Sequence, residues 1–184
     1  LYKLRADNPD TGGYAYKAQT RDIAVVELLF ATGIRVSELC ELSCDAVDLK
    51  QATIKVFGKG SKERVIQICS VEVLKILRQY QRLFAPSKCF FINRLGNRLS
   101  SQSVRLLIKR CREEIGIGKK ITPHTFRHTF ATLLLEEDVD IKYIQNLLGH
   151  SSITTTQIYT HVNMNKQKKI LSSKHPRKKM EMEE

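Results

Sequence analysis

Apolar residues recur at helical spacing after Thr20, an N-capping residue type. Ile23, Val26, Leu29 and Phe30 carry the period and Gly33 stops it, predicting a first helix from Thr20. A second short helix beginning near Val36 carries Leu39 and Leu42, so Arg35 falls in the joint between the two, close to a helix N-terminus. The period then changes. Residues 52–57 (ATIKVF) and 64–68 (RVIQI) are β-branched runs on either side of Gly58-Lys59-Gly60-Ser61-Lys62, which predicts a hairpin with a lysine-bearing tip. Ser70 caps a helix through Val73, Leu74, Leu77, Tyr80 and Leu83 that ends before Pro86, and a short strand is expected around Phe90 to Ile92.

Ser100 or Ser101 opens the next helix, through Val104, Leu107, Ile108 and Cys111 to a stop at Gly116, with a basic outer face. Thr122-Pro123 reads as an N-cap with proline in the first helical position, followed by Phe126, Phe130, Leu133 and Leu134. Asp140 caps a further helix with Ile141, Ile144, Leu147 and Leu148 inward and Gly149 at its end, and residues 153–159 continue as helix. Residues 1–19 show no sustained period and read as an irregular lead-in, while the stretch after Asn163 is a lysine-rich tail. The fold class expected is mainly α with a small antiparallel β-sheet.

At 184 residues the chain is about the size of one domain. It has 31 Lys and Arg against 19 Asp and Glu, a formal charge of +12, so a polyanionic partner is expected. Nucleic acid fits better than a membrane surface, because no helix has a Trp- or Phe-studded apolar face. No apolar run reaches membrane-spanning length and residues 1–20 are too polar for a signal peptide, so the cytoplasm is the expected location. Cys40, Cys44, Cys69, Cys89 and Cys111 form no C-x-x-C pair and sit among apolar neighbours, as reduced thiols do.

Three segments place cations and imidazoles where folding alone does not require them: Thr32-Gly33-Ile34-Arg35, His124-Thr125-Phe126-Arg127, and Leu148-Gly149-His150 followed nine residues later by Tyr159. On a helix, His124 and Arg127 share a face, expected to lie opposite the core-facing Phe126 and Phe130. Taken singly, each arginine reads as surface charge and Tyr159 as a packed aromatic. Together they supply what phosphoryl transfer needs. Arg35 and Arg127 meet the charge of the non-bridging oxygens, Tyr159 is a nucleophile whose phenolate is favoured by nearby cations, and Lys59 is a general acid on a mobile hairpin.

Rival chemistries fit less well. His124 and His128 have the spacing of a zinc-binding helix, but Thr125 stands where a metalloprotease has its glutamate. Glu136, Glu137, Asp138 and Asp140 form one acidic loop that reads as helix-end and capping chemistry more readily than as a two-metal nuclease. Residues 58–62 lack the glycine spacing of a nucleotide-binding loop and precede a strand.

ATGIRVSEL (31–39), the hairpin lysine at 59, TPHTFRHTFAT (122–132) and LLGHSSITTTQIYTHV (147–162) together resemble the catalytic domain of the tyrosine recombinases, the phage integrase family. The resemblance covers roughly residues 20–165. It implies that Arg35 and Arg127 clamp the scissile phosphate, that His124 handles the nucleophile's proton, that Lys59 protonates the 5′ oxygen, that His150 donates a hydrogen bond to the phosphate, and that Tyr159 is the nucleophile. Glu38 matches an acidic residue that supports the site. No metal, ATP or other cofactor is implied. The implied partner is double-stranded DNA, bound as a homotetramer on two duplexes, with a monomer expected for the isolated domain.

The division expected is a lead-in (1–19), a catalytic domain (20–163) and a basic tail (164–184). The regions that precede this domain in family members are missing, so the chain is expected to be a fragment of a larger integrase. Two other readings stand beside this one: a non-catalytic helix-turn-helix-like DNA-binding module over residues 140–159, and a type IB topoisomerase using the same chemistry.

Overall fold

The computed structural model describes residues 13–57 and 63–149 together with Ser172. Lys59, His150, Tyr159 and the expected helix over 153–159 lie outside these. The elements run α1 (Tyr14–Thr32), α2 (Val36–Glu41), a 3₁₀ turn (Cys44–Ala46), β1 (Val47–Asp48), β2 (Thr53–Phe57), β3 (Glu63–Gln67), α3 (Val71–Phe84), α4 (Ser101–Glu114), α5 (Pro123–Glu136) and α6 (Ile141–Leu148). The fold is mainly helical with one small sheet, as the periodicity predicts.

Helix α1 begins at Tyr14, earlier than the expected start at Thr20, with Gly13 in the N-cap position. Thr20 is not a cap: it lies within the helix, and its hydroxyl bonds the Tyr16 carbonyl one turn back at 2.9 Å. From Thr20 onward nearly every position is buried. Such a helix is central, and α1 packs against both α3 and α5. The sheet is antiparallel in the order β1-β2-β3, with Ile54 opposite Ile66 and Val56 opposite Arg64. Ile54, Val56 and Ile66 face the core.

Most predicted caps are present. Ser70 accepts from the Val73 amide, Ser100 from Ser103, and Asp140 from Lys142. Thr122 and Thr125 form a reciprocal capping box with Pro123 inside it. Two expectations are corrected. Residues 90–92 form no strand; isolated bridges join Ser43 to Cys89 and Ile92 to Arg98. The segment is held instead by Tyr80, whose hydroxyl donates to the Phe90 carbonyl at 2.8 Å and accepts from the Ile92 amide at 3.0 Å. Ile141, expected inward, is exposed, because as the first residue after the Asp140 cap it precedes the turn that packs.

The core has two parts. Among the described residues a large cluster unites α1, α2, the sheet, α3, Phe90, Phe91 and α4, and a smaller one joins Phe130 and Leu134 of α5, Val139 of the link, and Ile144 and Leu148 of α6. All five cysteines are free thiols, Cys40 buried and the others half-buried. Among the described residues no helix is long and apolar enough to cross a membrane.

The Tyr80 hydroxyl is the buried partner of two backbone groups, and burial pushes its pKa up to about 12. Tyr80→Phe strips both partners while keeping the ring, so urea unfolding should show a loss of about 1–3 kcal/mol with an unchanged denaturant slope. A loss below about 0.5 kcal/mol would mean that this segment is held by packing alone.

Candidate active site

The site lies at the seam between the two core clusters and is built on helix ends. Helix α1 closes on Gly33, whose φ of +60° is the left-handed conformation that favours glycine. A second constraint acts there: a Cβ on Gly33 would come within 2.8 Å of both Leu148 Cδ2 and Phe130 Cδ1. The absence of a side chain lets α5 and α6 close on the end of α1. Ile34, 1% exposed, anchors the turn, and Arg35 follows as the N-cap residue of α2.

Glu38, in the first turn of α2, is buried, and its carboxylate is the acceptor around which the cations assemble. Oε2 accepts the Arg35 backbone N–H at 3.0 Å, reaching back as the third residue of a capping box does. Oε1 accepts Arg35 Nη1 at 2.8 Å. From strand β3, Arg64 donates to both oxygens, Nη1 to Oε1 at 2.8 Å and Nη2 to Oε2 at 2.7 Å, the bidentate pairing that suits a guanidinium and a carboxylate. Burial by itself would raise the Glu38 carboxyl, but the bonds from Arg64 and Arg35 outweigh it and lower the pKa from 4.5 to about 2.

Arg127, on α5, is the third cation. Its Nη1 donates to the Gly33 carbonyl at 2.7 Å and its Nη2 to the Leu148 carbonyl at 2.6 Å. These carbonyls belong to the C-terminal ends of α1 and α6, where helix dipoles favour positive charge. The expectation that Arg127 lies opposite the core-facing Phe130 is corrected. The two are three residues apart, about 60° around the helix, and both are buried, together with Pro123 and Leu134. Burial, and then the charge of Arg35, lower the Arg127 pKa to about 10, which leaves it charged at neutral pH.

The C-terminus of α6 is drawn in by both clamps: Arg127 holds the Leu148 carbonyl and Arg35 Nη2 holds that of Gly149 at 3.1 Å. Segments near residues 33, 64, 127 and 148 thus meet in one cluster, two guanidiniums bonded to the Glu38 carboxylate and that of Arg127 bonded to helix-end carbonyls. Arg35, with its side chain 35% exposed, is the most accessible of the three. His124, one turn before Arg127, is exposed. Lys59, His150 and Tyr159 lie outside the described residues, and so does the second half of the helix-turn-helix reading.

Arg64 was not among the residues expected here. Its signal is the alternation of the hairpin: Arg64 occupies the inward row with Ile66, opposite the buried Val56, a phase in which a charge needs a partner. As for the acidic loop, Asp140 caps α6, and among the described residues no three His, Cys, Asp or Glu side chains gather as metal ligands.

The model of the phage integrase family matches residues 7–166 of this chain. A tyrosine recombinase of Agathobacter rectalis is 54% identical over 182 residues, which are 97% of this chain and 59% of that protein. The crystal structure of XerA recombinase is similar with a TM-score of 0.69 at 36% identity, over 86% of this chain and 60% of that one. A pre-cleavage complex of the site-specific recombinase XerH with its difH substrate matches with a TM-score of 0.67 at 26% identity, over 85% of this chain and 47% of that one. The chain therefore spans less than two thirds of the length of these relatives.

The depressed pKa of Glu38 gives a signed prediction. A carboxyl whose folded pKa lies below its ordinary 4.5 contributes stability that is fully present above pH 4.5 and is lost as the pH falls from there through about 2. Glu38→Gln leaves the cations without their counter-charge and should cost on the order of 3 kcal/mol at neutral pH, a deficit that shrinks across that acid window. Parallel stability curves for the two proteins from pH 6 to pH 2.5 would contradict this assignment.

Proposed function

The chain belongs to the phage integrase family of tyrosine recombinases, and from that premise we propose that it cuts and rejoins DNA strands by site-specific recombination through a 3′-phosphotyrosyl intermediate. The observation that carries the proposal is the convergence of Arg35 and Arg127 at one seam, with more guanidinium charge than Glu38 balances. Such a seam suits a phosphodiester, which brings the missing negative charge.

The Tyr159 oxygen attacks the scissile phosphorus and the bond from phosphorus to the 5′ oxygen breaks. His124 takes up the phenolic proton and Lys59 delivers one to the departing 5′ oxygen. Arg35, Arg127 and His150 hold the non-bridging oxygens, whose charge grows in the transition state. Resealing runs the same steps backward with a 5′ hydroxyl of another strand. The phosphotyrosine ester keeps the energy of the broken bond, so the chemistry closes without an external energy source.

The partner proposed is double-stranded DNA, bound by a homotetramer holding two duplexes in the cytoplasm, with the isolated domain monomeric without DNA. The chain acts as the catalytic portion, residues 20–163, of a longer integrase, with residues 1–19 and 164–184 flanking it. The charge of +12 supports a polyanionic partner.

A nicked suicide duplex, which traps the intermediate, tests this directly. The protein should form an adduct resistant to denaturant, and Tyr159→Phe should form none. Arg127→Ala should reduce adduct formation by about a thousandfold while DNA binding stays within about threefold. DNA binding without any adduct, or an adduct that survives Tyr159→Phe, would overturn the assignment.

A further inference from the structure

Arg64 stands at a junction that the proposed chemistry does not use. It lies on β3, five residues after Lys59, and its guanidinium is committed to Glu38 through two parallel bonds of 2.8 and 2.7 Å. Arg35 Nη1 shares the same Oε1, so the plane in which Arg64 holds the carboxylate is the plane that Arg35 must meet. Gly149 closes the other side. A Cβ there would fall 2.9 Å from Arg64 Nη1 and 3.1 Å from its Cδ and Cζ, while the carbonyl of the same residue accepts Arg35 Nη2. The backbone of Gly149 thus rests against one arginine and is bonded by the other.

Stability alone does not explain an arginine at this position. Its Nε is buried with no hydrogen-bond partner, and an apolar residue in the inward row of a hairpin carries no such cost. We propose that Arg64 is a positioning residue. By orienting Glu38 and seating Gly149 it fixes the guanidinium of Arg35 relative to the end of α6, and it ties strand β3 to that frame. The inference rests on the phosphoryl-transfer reading of the site and adds to it the residue that sets its geometry.

The test is a double-mutant cycle on Arg64→Lys and Gly149→Ala, read by the single-turnover rate of adduct formation at saturating suicide duplex, by DNA affinity, and by urea unfolding. Lysine keeps the charge beside Glu38 but not the two parallel bonds. Expected for Arg64→Lys are a rate lower by about 10- to 100-fold and DNA affinity within about threefold. Losing the bidentate pair also lowers the unfolding midpoint, so rates are compared at a temperature at which urea unfolding shows each protein to be fully folded. Gly149→Ala, which pushes on the same guanidinium, should lower the rate similarly. The double variant should be no slower than about the slower single one, since both act through one side chain.

An unaltered rate in Arg64→Lys would overturn the inference. So would effects of the two substitutions that multiply, or a rate loss in Arg64→Lys that its unfolded fraction accounts for, complete failure to fold included. No adduct from the unaltered protein is a different result: it removes the phosphoryl-transfer reading itself, and the inference with it.

Discussion

The carboxylate of Glu38 is the acceptor on which the seam between the two cores depends. It is fixed from its own helix by the Arg35 backbone N–H and from the sheet by Arg64, and it hands the remaining orientation to the Arg35 side chain. Arg35 then reaches the Gly149 carbonyl, so α2, β3 and the end of α6 are joined through one buried anion. Arg127 makes a parallel connection through the carbonyl ends of α1 and α6. Like charges would drive these guanidiniums apart in an apolar seam. The carboxylate and the negative ends of two helices are what allow them to approach one another.

This arrangement is a poor device for stability and a good one for electrostatic preorganisation. Desolvating several cations around one anion is costly, and breaking such a cluster leaves uncompensated charge. The rewards lie elsewhere. Donors already aimed at one place need no reorganisation when charge develops there, and the excess of cations over carboxylates makes the site complementary to an incoming anion. The glycines fit the same account. Gly33 and Gly149 both end helices in the left-handed conformation, and both are pressed by neighbours that a side chain would displace.

Much of this could be read from the sequence because capping chemistry is local. Ser70, Ser100, Thr122-Pro123 and Asp140 each announce a helix start with a side chain that bonds an amide two or three residues on, and the β-branched runs flanking residues 58–62 form the expected pair of strands. The positions that differ from the local pattern are set by tertiary contacts. Helical spacing puts Arg127 on the face of His124, opposite Phe130, but the carbonyl ends of α1 and α6, distant in sequence, supply buried acceptors for it. No local pattern marks the partner of Arg64, because it lies 26 residues away. Helix α1 runs back past its apparent cap through exposed and half-buried residues, where the Tyr16 hydroxyl accepts a hydrogen bond from Gln79 of α3. Glu38 is marked only by the family resemblance; its bonds to Arg35 lie within one capping turn, while its bidentate partner Arg64 comes from another element.

Titrating the Glu38 side-chain carboxyl by carbon NMR, with Glu38→Gln to assign the resonance, tests the central claim most directly. If Glu38 is the shared acceptor of Arg35 and Arg64, the resonance should remain that of a carboxylate well below pH 4.5, with its midpoint at about 2. A midpoint at or above the ordinary 4.5 would mean that burial dominates and the guanidiniums do not hold it, and the account of the seam would be wrong.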